Sequence, residues 1–156
     1  MNFAWAAILR TVMEMNDSKD MLTSLLKIAQ MGQVGIRSVL ETAMEPGLRK
    51  ALESQLREYD AIETEAHHIA FQRGWELREL DPAVRFVTDR VTRAKLKLGN
   101  TDSAIAGMMI RSNTKGMITG LKDVHRFNGQ DQQVSMLSRK LLDCERANIR
   151  QMQGFL

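Results

Sequence analysis

The stretch GWELRELDPAVRFVTDRVTRAKLKLGNTDS, residues 74–103, decides the fold. It opens on a glycine stop and restarts at Asp81-Pro82, where proline suits a first helical turn. It closes on Gly99-Asn100, after which Thr101, Asp102 and Ser103 offer caps for another helix. Between these breakers Val84, Val87, Val91, Ala94 and Leu98 recur at three and four, an apolar stripe that predicts a helix over 82–98. Such a stripe should lie along the rest of the molecule, so the segment reads as a docked crossover rather than a turn.

The chain on either side is helical too. Upstream, residues 2–15 form a short helix, and Asn16, Asp17 and Ser18 cap a long one over 18–43. Glu45-Pro46-Gly47 makes a tight turn into a helix over 47–73. Downstream, helices over 103–127 and 130–153 are separated by Asn128-Gly129. Four long helices of about 24–27 residues, each about 36–40 Å long, then form two antiparallel hairpins joined by the crossover. The expected organisation is an N-terminal accessory helix over 1–16 and a single helical bundle domain over 17–156.

Composition agrees. The 156 residues carry 44% hydrophobic and 5% aromatic side chains, with 22 Lys+Arg against 19 Asp+Glu, a net charge of +3. Residues that favour helices dominate, and the length suffices for one core without staples. The lone Cys144 excludes a disulfide scaffold and a cysteine zinc site, and fits a reducing cytoplasm. No apolar run is long enough to span a membrane. Residues 3–9, FAWAAIL, follow no basic region, so no signal peptide is expected.

Several of these features carry a resemblance. Gly32, Gly35, Ile36 and Arg37 in the first long helix, Glu45-Pro46-Gly47-Leu48-Arg49-Lys50, Gly74, and Leu98-Gly99-Asn100 leading to Ala104-Ile105 form one pattern. With it, residues 20–75 and 83–125 resemble a little-characterised family of bacterial ferritin-like domains with a helical crossover. The resemblance implies a ferritin-like four-helix bundle, descended from di-iron carboxylate proteins.

A di-iron centre needs one glutamate from each of two helices and a Glu-x-x-His pair from each of the others. The first long helix has no carboxylate between Asp20 and Glu41, and the third has none between Asp102 and Asp123. Asn113 stands where the third helix should supply one. Glu65 and His68 have pair spacing, but at 100° per residue they point away from the face set by Leu52, Leu56, Tyr59, Ala66 and Ala70. On the last helix Glu145 and Asn148 share the apolar face with Val134, Leu137, Leu141 and Met152. Asn113, Glu145 and Asn148 therefore read as a buried polar layer without metal. The alternative, Glu145 at the bundle edge bonding Arg111, is the ordinary surface arrangement. A non-standard metal site would draw on Glu63, His67, Glu145 and Asn148, with iron as the ion.

No catalytic triad, phosphate loop or H-E-x-x-H motif occurs. The expectation is a non-enzymatic bundle with a structural or interaction role and no cofactor. A metal-binding or oxidative-stress role is one alternative. The other is a basic module for an anionic partner through Arg85, Arg90, Arg93, Lys95 and Lys97, although a solvated charged face, without nucleic acid, is the simpler reading. Cys144 and most of the 11 methionines read as core filling. Phe3, Trp5 and Leu9 lie on an N-terminal helix with no slot in a closed bundle, which points to a homodimer interface, the alternative being an intramolecular cap over one end of the bundle.

Overall fold

The computed structural model describes residues 3–99, 101–127 and 131–156, together with the side chains there except those of Phe3, Thr11 and Glu14. Asn100, the Asn128-Gly129 turn and the interface expected at the Phe3 side chain thus lie outside the described residues. Within them every regular element is a helix: α1 Phe3–Leu40, α2 Pro46–Gln72, α3 Pro82–Leu98, α4 Asp102–Arg126 and α5 Gln132–Gln153.

Local chemistry sets most of these limits. Pro46 and Pro82 begin α2 and α3, and the Asp81 carboxylate accepts the Ala83 N–H at 2.8 Å. Thr101 caps α4 through the Ala104 N–H, and Asp131 caps α5 through Val134. Gly74, at φ +65°, makes the left-handed turn that ends α2. Asp102 accepts the N–H groups of Met44 and Glu45 at 2.9 and 2.8 Å, fastening the α1–α2 turn to the start of α4.

Helices α1 and α2 form one antiparallel hairpin, and α4 and α5 the other. Around the bundle α1 neighbours α2 and α4, while α5 neighbours α2 and α4. Leu22, Leu26, Leu52, Ile62, Ile105 and Leu141 are among the fully buried side chains of the common core. Each adds about 1.5–3 kcal/mol of apolar burial. At one end Arg73, just past α2, holds Asp131, the N-cap of α5, and the Ser18 hydroxyl joins the same carboxylate.

That use of Ser18 bears on the first correction. The expected break at Asn16-Asp17-Ser18 is absent, and α1 runs unbroken for 38 residues. These residues are only mildly unfavourable inside a helix, and neither glycine nor proline occurs between residues 1 and 31 to stop it. The accessory helix over 1–16 is therefore the first part of α1.

The second correction concerns α3. It follows the outside of α1, but its expected docking stripe faces away: Val84, Val87, Val91, Ala94 and Leu98 are exposed, Leu98 by 92%. The inward side carries Thr88, Asp89, Thr92 and Leu96, of which Leu96 is buried. The face of α1 beneath it explains the rotation. Gln30 and Ser38 are both buried there, making a polar patch on α1. Leu80 N–H donates to Gln30 Oε1 at 2.7 Å, and Ser38 Oγ donates to Asp89 Oδ1 at 2.6 Å. Ser38 Oγ also lies 2.7 Å from the Val34 carbonyl of its own helix, so valines turned inward would remove its contact with Asp89 and set apolar side chains over this polar stretch of α1.

Candidate functional site

Midway along the bundle the four long helices meet at a polar layer. Tyr59 comes from α2, Asn113 from α4, and Glu145 with Asn148 from α5, one turn apart; all four are at least 95% buried. The Tyr59 hydroxyl lies 2.7 Å from Asn113 Oδ1 and 2.7 Å from Glu145 Oε1. Asn148 also faces the phenol.

A phenol has one proton and here meets two acceptors. The state of Glu145 settles the count: ionised, it accepts from Tyr59; protonated, its O–H donates to Tyr59, whose O–H then donates to Asn113 in a head-to-tail chain. Burial supports the protonated state, pushing the Glu145 carboxyl up to about 7 against the opposing Tyr59 hydrogen bond. Burial, and then the nearby Glu145 charge, push the Tyr59 phenol well above its ordinary range.

The backbone of α1 makes room for the ring. A Cβ at Gly32 would lie 2.5 Å from Tyr59 Cε2 and Cζ, a distance real atoms do not adopt. Gly116 of α4 lies against the layer less tightly, since a Cβ there would meet Glu145 Cδ and Oε1 at 3.2 Å. Two buried atoms of the layer, Glu145 Oε2 and Asn148 Nδ2, have no hydrogen-bond partner among the described residues. A second amide pair lies nearby, with Gln55 Nε2 donating to Gln151 Oε1 at 2.8 Å.

The structure therefore brings Asn113, Glu145 and Asn148 together and adds Tyr59, which sequence reasoning had read only as part of the apolar face. Its position three residues before Ile62 and seven before Ala66 was the available signal, because that row runs straight into the core. Arg111 is exposed on α4. The possible metal set is divided. Glu63 is half-buried, and His67 stands exposed on α2, 3.3 Å from Glu79. Glu65 and His68 are exposed. Among the described residues no three His, Cys, Asp or Glu side chains converge closely enough to hold a metal ion.

Cys144 is half-buried, and burial followed by the Glu58 charge pushes its thiol up to about 11, far from a nucleophile's range. On α3 the basic residues are partly engaged within their own helix. Arg93 pairs with Asp89 at 2.8 Å, and Arg90 stacks over Phe86 at 5.1 Å. No helix among the described residues is long and apolar enough to cross a membrane. No family model matches the chain, and neither a curated protein nor a solved structure shows significant similarity to it.

Proposed function

We propose that this is a non-enzymatic ferritin-like four-helix bundle with a degenerate metal centre, which acts as a cytoplasmic homodimer in a structural or interaction role. Support for a degenerate centre comes from the polar layer. Where a di-iron bundle needs a carboxylate from each of two further helices, α1 has Gly32 and α4 has Asn113 and Gly116. The Tyr59 ring fills the space beside Gly32, and its hydroxyl ties the Glu145 carboxyl to an amide. An internally bonded layer with a single carboxylate offers iron a poor set of ligands. Protein purified from iron-supplemented culture should carry far less than one iron per chain. Elemental analysis giving about two irons per chain, lost on Glu145→Ala, would overturn the reading.

The observation that carries the interaction role is the overhang of α1. Every described side chain from Ala4 to Asp17 is exposed, including Trp5, Ile8, Leu9 and Val12. The helix thus extends about 22 Å past the bundle. Trp5, Ile8, Val12 and Met15 continue, at intervals of three and four, the row Leu22, Leu26, Ala29, Gln33 and Ile36 that is buried further along. Only Lys19 separates the two parts. A core-facing row prolonged beyond its own core fits a second copy: two antiparallel overhangs bury the same stripe twice about one symmetry axis. The exposed α3 valines add a further apolar surface. In sedimentation at tens of micromolar the full chain should be a dimer, and a chain starting at Asp17 a monomer. Trp5→Ala should weaken pairing about tenfold or more. A full-length monomer at that concentration would contradict the proposal.

A further inference from the structure

A groove of about 930 Å³ runs between α1 and α4, bordered by the segment that joins α2 to α3. Its size is that of small-ligand sites. Glu145 forms part of its lining, reached past Gly32 and Gly116, which present no side chains there. Glu145 is 99% buried, its Oε1 is engaged by Tyr59, and its Oε2 has no partner among the described residues. That lone oxygen calls for a donor from the groove. Ile28, Met31 and Phe127 supply apolar wall.

Charge at the rim is mostly positive. Lys19, Lys27, Lys115, Arg78 and Arg126 line it, against the acids Asp20, Glu76 and Asp123. Asp123 already accepts from Ser24. Among the described residues Lys19, Lys27, Lys115 and Arg78 have no carboxylate within ion-pair distance. Lys27 stands about 7.5 Å along α1 from Gly32, and Lys19 about 20 Å, while Lys115 adjoins Gly116.

We propose that this groove binds a small linear zwitterion, with its ammonium group on the Glu145 carboxylate and its carboxylate or phosphate among the rim lysines. An ammonium satisfies the free oxygen and, on binding, holds Glu145 in its ionised form through a charge-assisted bond, the proton of the unliganded carboxyl passing to solvent. A neutral donor would do only the first, and an anionic end has no donor to meet in the free Glu145 oxygen. At the rim an anionic end meets unpaired cations, and an alkyl stem between the ends lies along Ile28 and Met31. This site is separate from the dimer surface and does not rest on the structural reading above.

The probe is ω-aminooctanoate, titrated into the full chain and followed by amide NMR and calorimetry, with octanoate and octylamine as single-charge controls. The backbone amides of Gly32 and Gly116 should shift with the zwitterion at millimolar concentration. Each control should bind at least tenfold more weakly. Glu145→Gln, which keeps the shape and removes the charge, should weaken the zwitterion at least tenfold. The double variant K27A/K115A, altered only at the rim, should weaken it several-fold and reduce its salt dependence. Silent Gly32 and Gly116 amides, octanoate binding equal to that of the zwitterion, or unchanged affinity in both variants would each overturn the assignment. If phosphate replaces carboxylate on the same alkylamine and binds more tightly, the natural anionic end is a phosphate; the reverse order assigns a carboxylate.

Discussion

Unfolding free energy should fall by about 3 kcal/mol as pH rises from about 4.5 to about 7, and Glu145→Gln should abolish this fall. The sign follows from burial. Desolvation raises the Glu145 pKa from an ordinary 4.5 to about 7, outweighing the Tyr59 hydrogen bond that lowers it. Above pH 4.5 the unfolded chain releases this proton while the native chain still holds it. Ionisation therefore favours the unfolded state until the native carboxyl also titrates. The contribution of the raised pKa is fully present below about 4.5 and is lost through about 7. Asp131, held low first by its Arg73 hydrogen bond, and Asp89, held low first by Ser38, titrate below this window. The variant keeps an amide of the same shape but nothing to ionise, so its urea-derived stability should change much less across the window and exceed that of the parent at pH 8. An equally steep loss in Glu145→Gln would show that this carboxyl is not the group responsible.

The two glycines of α1 that a sequence motif treats alike should respond in opposite directions. Gly32→Ala should destabilise the bundle by about 3 kcal/mol. Its Cβ would arrive 2.5 Å from two atoms of the Tyr59 ring. The ring has nowhere to retreat, because its hydroxyl is pinned at 2.7 Å on both sides. Relief requires either a shift of α1 or the loss of those bonds to buried partners. At Gly35 the nearest atoms to a new Cβ are Met109 Cε at 3.8 Å and Ser112 Oγ at 3.9 Å, which is ordinary contact. Gly35→Ala should therefore gain up to about 1 kcal/mol from helix propensity. Urea denaturation of both variants decides the matter. Pairing Gly32→Ala with Tyr59→Ala should cost less than the sum of the two, since removing the ring removes the clash. Strict additivity would place the glycine's role elsewhere.

These outcomes depend on contacts that one-dimensional patterns reveal unevenly. The polar layer was partly legible because Glu145 and Asn148 interrupt an apolar face at helical spacing, and that interruption is visible in the letters. Tyr59 was hidden because it satisfies the same face as an aromatic side chain, while its hydroxyl matters only once Asn113 and Glu145 arrive from other helices. The groove was hidden too. Lys19, Lys27 and Lys115 look like ordinary solvated lysines until α1 and α4 are set side by side over a carboxylate from α5.

By itself the sequence determined that the chain is helical, where Pro46, Gly74, Asp81-Pro82 and Thr101 divide it, and that Asn113, Glu145 and Asn148 point inward. Those features follow from backbone sterics, capping and a 3.6-residue period, all of which act within a few residues. Tertiary structure alone decided the rotation of α3 and the continuity of α1. The valine stripe of α3 predicted one docking face, but the face of α1 beneath it carries Gln30 and Ser38, which meet the Leu80 N–H and the Asp89 carboxylate, so the polar side of α3 turns inward. Likewise the capping residues at 16–18 can end a helix or ride within one, and Ser18 spends its hydroxyl on Asp131, a residue 113 positions away in the chain.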